Sequence, residues 1–101
     1  MMTYKERIDY IANECTKHNV PHTTNELWEG WQIRFPWIPG DVAAHDGAYG
    51  AKSGMVESYA FPWDEGDITV LTPEEAALRI CTLYDEYRQK EEDDAWRAIG
   101  F

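Results

Sequence analysis

Seven residues, Phe35-Pro36-Trp37-Ile38-Pro39-Gly40-Asp41, return as Phe61-Pro62-Trp63-Asp64-Glu65-Gly66-Asp67, with five of the seven identical. Val42 and Ile68 follow the two copies. The preceding residues Trp31-Gln32-Ile33-Arg34 align with Glu57-Ser58-Tyr59-Ala60 in alternation rather than in identity. Pro36 and Pro62 lack an amide proton, so each must sit at a strand end, an edge or a bulge. Each also forces the preceding Phe into extended backbone. Gly40 and Gly66 then suit a turn, and Asp41 and Asp67 can accept from local amides there. The repeat therefore predicts two similar strand-and-turn units related by pseudo-symmetry, each strand ended by Phe-Pro-Trp and turned by Gly-Asp. The copies differ at one dipeptide: apolar Ile38-Pro39 becomes acidic Asp64-Glu65.

The rest of the chain supplies partners for those strands. Thr3 and Glu6 form a capping box, and Tyr4, Ile8, Ile11, Ala12 and Cys15 follow at helical spacing. Asn19 suits a left-handed cap and Pro21 forbids continuation, so a first helix is expected over about residues 3–18. Residues 19–27 read as polar and turn-like, with a short turn of helix or a short strand as the alternatives. Trp31, Ile33, Phe35 and Trp37 alternate with polar residues, which predicts a half-buried strand over about 31–37. Ile38-Pro39-Gly40-Asp41 has the residue order of a type II turn. Residues 40–54, with Gly40, Gly47, Gly50 and Gly54, read as a mobile loop or an irregular hairpin tip. Strands over about 55–61 and 68–71 follow. Thr72-Pro73-Glu74-Glu75 opens a second helix over about 73–92, with Ala76, Ala77, Ile80, Leu83, Tyr84 and Tyr87 on its apolar face. The acids 91–94 sit where the helix dipole favours cations, so fraying is expected there. Residues 93–101 are left as a tail in which Trp96, Ile99 and Phe101 either dock as a last amphipathic turn or remain exposed. At 101 residues the expectation is one α+β domain. It has an antiparallel sheet of about three strands with an N-terminal and a C-terminal helix packed on one face.

Motifs that would carry chemistry are weak. In Gly47-Ala48-Tyr49-Gly50-Ala51-Lys52-Ser53-Gly54, Ala51 precedes the lysine and a strand follows, which is the wrong context for a phosphate-binding loop. His18 and His22 are four apart, but Pro21 breaks the helix that would let them share a metal. His45-Asp46 with Ser53 lies in a glycine-rich loop, a poor support for a triad. Adjacent acids such as Asp64/Glu65 and Glu74/Glu75 are expected without chemistry in a chain this acidic. No enzyme, cofactor or metal is expected. Cys15 and Cys81 fall beside apolar helix positions, so buried free thiols are expected and a disulfide is not required. No stretch approaches the ~20 apolar residues that span a membrane, and an intracellular, cytoplasmic location is expected.

Charge is the remaining signal. The net charge is −10, and residues 55–101 carry twelve acids against four bases, a balance of −8. Such a chain repels phosphate backbones and anionic membranes and is drawn to a basic partner. The candidate partner-facing residues are Asp64, Glu65 and Asp67 in the second turn and Glu74, Glu75, Asp85, Glu86, Glu91 and Glu92 along the second helix. Trp37, Trp63 and Tyr49 are the candidate aromatic anchors, with burial of Trp37 and Trp63 under the helices as the alternative for those two rings. In size, charge and acid runs such as Glu91-Glu92-Asp93-Asp94, the chain resembles the small acidic anti-CRISPR and anti-restriction inhibitors of phages and mobile elements. That resemblance implies a non-enzymatic inhibitor that engages a basic nucleic-acid-binding protein or nuclease complex by imitating phosphate charge. The alternative is a self-associating adaptor, a homodimer joined through an aromatic Phe-Pro-Trp surface.

Overall fold

The computed structural model describes residues 1–100. Helix α1 spans Tyr4–Lys17 and begins at the expected capping box. Thr3 Oγ1 accepts from the Glu6 amide at 3.1 Å, and Glu6 Oε1 accepts from the Thr3 amide at 2.9 Å. The Thr3 backbone bond, and then its hydroxyl, hold the Glu6 carboxyl below its ordinary range. The helix stops where Asn19 turns left-handed, at φ 57°.

Five strands follow, β1 Thr23–Leu27, β2 Gly30–Phe35, β3 Ile38–Ala44, β4 Val56–Tyr59 and β5 Ile68–Leu71, and then helix α2, Pro73–Ala98. The strands form one antiparallel meander in the order β1-β2-β3-β4-β5. Both helices cover the same face, α1 over β2 and β3 and α2 over β4 and β5, and they pack against each other. The core lies between these layers. Ile8, Ile11 and Cys15 come from α1, Ile33, Phe35, Val42, Val56 and Leu71 from the sheet, and Ala76, Ala77 and Ile80 from α2. Burying side chains of this size contributes roughly 1.5–3 kcal/mol each.

The α+β class and the two helices on one face agree with the sequence, but the sheet has five strands rather than about three. Strand β1 was hidden because Thr23-Thr24-Asn25-Glu26 is exposed on an edge and carries no apolar alternation. Strand β3 was hidden by Pro39-Gly40, which reads as a turn. The turn falls earlier, at Pro36-Trp37, between the paired residues Phe35 and Ile38. Neither turn residue has a positive φ. A hairpin turn of that hand splays its strands unless a bulge follows. Pro39 and Gly40 provide it: Phe35 pairs with Ile38 but Arg34 pairs with Asp41, leaving the two residues between as a bulge.

The second copy also departs from expectation. Strand β4 stops at Tyr59, Ala60 is left-handed (φ 67°), and Pro62–Asp64 form a 3-10 turn. The expected mobile loop is largely structured, its first residues lying in β3 and Ala51–Ser53 forming another 3-10 turn. The buried Arg7 guanidinium pins it to α1, donating to the carbonyls of Ala51 (2.7 Å) and Met55 (3.2 Å). Helix α2 does not fray at 91–94 but continues to Ala98. The docked first half nucleates it, the residues beyond are good helix formers, and the dipole penalty is confined to the last turn, which holds Arg97. Trp96 and Ile99 are exposed there, while Phe101 lies outside the described residues. No described helix is long and apolar enough to cross a membrane.

Candidate functional site

The repeat places its two tryptophans at the same end of the sheet, in the wall of the core. Trp37 lies 4.9 Å from Tyr84 and 5.5 Å from Tyr87, ring centre to ring centre, and its Nε1–H donates to the Pro21 carbonyl at 3.0 Å. Trp63 stacks on Phe61 at 4.5 Å with the rings 8° from parallel, and the Arg79 guanidinium sits 5.6 Å over its ring. Both indoles are half-buried. Packing of this kind anchors α2 to the sheet.

The acids of the second copy divide. Asp64 is 4% exposed and faces inward. Its Oδ1 accepts from Ser58 Oγ at 2.8 Å and its Oδ2 from the Phe61 amide at 3.0 Å, while Trp63 Nε1–H donates to Ser58 Oγ at 3.0 Å. Asp64 is therefore a structural residue rather than a partner-facing one, and Glu65 and Asp67 carry the outward charge of that turn. Ser58, buried within the sheet, was the missed half of this network; the only hint in the sequence was a small polar residue on the same strand face as Val56.

Along α2 the expected acids are exposed. Glu74 and Glu75 lie on the first turn, where Glu75 pairs with Arg79 at 2.9 Å. Asp85, Glu86, Glu91 and Glu92 follow, and Glu91 accepts from the Tyr87 hydroxyl at 2.7 Å, a bond that raises the Tyr87 pKa. The core releases the helix after Tyr87, and every residue over 88–98 is exposed. At ~1.5 Å per residue, about 16 Å of helix stands clear of the body. The molecule is accordingly elongated, 53 × 28 × 21 Å.

Nearer its start, α2 presents Leu78 to solvent at 68% exposure, with Thr82 one turn on. Depressions flank this ridge on both sides. One, of about 450 Å³, is lined by Pro62, Trp63, Leu83 and Glu86. The other, of about 320 Å³, runs between the helices and is lined by Tyr10, Glu14, His18, Glu74, Cys81 and Asp85. Cys15 and Cys81 are free and buried beneath it. Burial pushes the Cys15 thiol up to about 12. Burial also raises Cys81, and the charges of Glu14 and Asp85 add to the effect.

A second cluster occupies the opposite end of the sheet. Trp28 is 81% exposed, with a left-handed backbone (φ 52°) in the β1–β2 turn, and its ring meets His45 edge-on at 5.2 Å. The Tyr4 hydroxyl donates to Asp46 at 2.6 Å, which raises Tyr4 and lowers Asp46. Asp46 in turn raises Glu29 by hydrogen bonding. Sequence reasoning passed over Trp28, whose only signal was a large aromatic next to Glu-Gly in a polar stretch. Tyr49 is exposed on the neighbouring loop, with its amide held by Glu57 at 2.7 Å. His18 and His22 do not converge, since His22 Nδ1 lies against the Val20 carbonyl at 2.8 Å. Among the described residues, no group of three or more His, Cys, Asp or Glu is placed to hold a metal ion. Comparison of the chain with protein-family models, with curated proteins and with solved structures found no match.

Proposed function

We propose that the chain is a non-enzymatic binding protein that engages a basic, nucleic-acid-handling protein. The partner class is the nuclease complexes that anti-CRISPR and anti-restriction inhibitors block. The projecting half of α2 is the observation that carries the reading. Carboxylates from Glu74 to Asp94 span roughly 30 Å along one helix, a length over which a nucleic acid presents many phosphates. Residues 88–98, all exposed beyond the core, hold four acids against three bases, so the acidity of this surface also draws on Glu74, Glu75, Asp85 and Glu86 nearer the body. Charge complementarity of this kind speeds encounter and sets orientation.

The test is the affinity of the full chain for a guide-RNA-loaded nuclease complex across a salt series. Affinity is expected to fall steeply as salt rises, and Glu91→Lys with Glu92→Lys should weaken binding at low salt by on the order of tenfold. An affinity indifferent to salt rules out the charge mechanism.

A further inference from the structure

We propose that the Leu78 ridge is the anchoring surface for that basic partner. It takes a short extended segment carrying one apolar side chain and, two residues away on the same side, an arginine or lysine. The proposal rests on the reading of the chain as a binder of a basic protein and names the surface and the chemistry it recognises.

Leu78 is not demanded by the core. Its neighbours Ala77, Ile80 and Cys81 are buried, whereas Leu78 is exposed between two depressions of opposite character. The first has an apolar wall of Pro62, Trp63 and Leu83. The Trp63 ring already carries the chain's own Arg79 cation, held in place by Glu75. The ring is therefore already occupied by a cation, and the apolar wall of Pro62, Trp63 and Leu83, with Glu86 at its rim, suits an apolar side chain. The second depression reverses this logic, because Glu14, Glu74 and Asp85 line it. Lys17 partly neutralises Glu14 at 3.2 Å, but among the described residues neither Glu74 nor Asp85 has an ion pair. Their potential is felt at the groove floor, where Glu14 and Asp85 act on the Cys81 thiol. A guanidinium or ammonium group is the complement of that groove.

The spacing follows from the wall between the depressions. Both are lined by Leu78 and Thr82, so a single row of side chains separates them. An extended chain advances about 3.3 Å per residue and turns successive side chains to opposite faces, so two side chains that both face α2 belong two residues apart. The half-buried Trp63 that lines the first depression is of the residue type enriched at binding hot spots, and exposed Leu78 extends the apolar surface beside it.

The experiment is an NMR titration of the full ¹⁵N-labelled chain with three blocked peptides. One is a hexapeptide with leucine and arginine two positions apart, one is the same peptide with glycine for leucine, and one is hexa-arginine. The leucine peptide should move the Trp63 indole signal and the amides flanking Leu78. It should also bind at least about tenfold tighter than its glycine counterpart, the preference expected from burying one leucine side chain. Leu78→Ser should erase that preference, and Glu74→Gln with Asp85→Asn should erase the contribution of the arginine. The second pair is exposed and tests the proposal even if Leu78→Ser misfolds. Equal binding of the leucine and glycine peptides overturns the anchor while leaving the charge reading standing. Failure of all three peptides, hexa-arginine included, overturns both.

Discussion

The two Phe-Pro-Trp segments begin alike and end as different structures. In both, proline holds the preceding Phe extended, and Phe and Trp two residues apart contact each other, at 5.7 Å in the first copy and 4.5 Å in the second. Phe35 and Phe61 even meet across the core at 5.9 Å. The paths separate at the next residue. Ile38 carries no polar group and enters β3, with Pro39-Gly40 absorbed as a bulge. Asp64 instead reaches back to the Phe61 amide and Ser58, closing a 3-10 turn, with Glu65 and Gly66 left-handed behind it. One carboxylate at that position decides between strand and turn, because it satisfies locally the amide that a ladder would otherwise use.

Three measurements sharpen this comparison. The largest effect is expected where the copies are alike. Phe35→Ala and Phe61→Ala should each cost about 3–5 kcal/mol in urea unfolding, since both rings are buried in one shared cluster. A loss in one copy far below that in the other would show that the repeat does not contribute symmetrically to the core.

Next comes the position where they part. Asp64→Ala strands the buried Ser58 hydroxyl and the Phe61 amide, and should cost about 2–3 kcal/mol. Retention of full stability would mean that the carboxylate does not hold the turn.

The smallest effect separates the two glycines. An added Cβ at Gly40 would lie 2.7 Å from the Phe61 ring, whereas at Gly66 it would meet nothing within 4 Å but would sit at φ +84°. Gly40→Ala should therefore cost about 1–3 kcal/mol through overpacking, and Gly66→Ala about 1–2 kcal/mol through backbone strain. Asparagine tells the causes apart. It tolerates left-handed backbone, so Gly66→Asn should recover part of the loss, while Gly40→Asn should be worse than Gly40→Ala. Thermal melts that rank the two sites identically would remove the distinction.

How far these features could be read in advance depended on how local their causes were. Helix α1 was legible because Thr3, Glu6 and Asn19 act within a turn of themselves. The start of α2 was legible for the same reason, through Thr72 and Pro73. The Pro39-Gly40 pair misled because its local preference for a turn gives way to the bulge required by the Pro36-Trp37 hairpin. Strand β1 left no pattern because an exposed edge needs none. The partner-facing acids were legible as a charge count, but the count could not separate Asp64, consumed inside the fold, from Glu65 one residue later.

Trp28 and Leu78 show the same limit from the other side. A tryptophan and a leucine are expected to be buried, and nothing adjacent to them in the chain says otherwise. Their exposure follows from where the β1–β2 turn and the outer side of α2 fall once the layers close.

The amino-acid sequence alone determined the two helices and their N-terminal caps, the aromatic repeat and the strongly acidic second half. Each of these rests on side chains acting on their own backbone or on charge summed without regard to position. Only the tertiary structure decided that the repeat splits into a bulged hairpin and a capped 3-10 turn, that Arg7 pins the glycine-rich loop, and that α2 outruns the core after Tyr87. Those outcomes depend on which surfaces meet across the sheet, and contacts between residues distant in the chain leave no periodic trace in either partner.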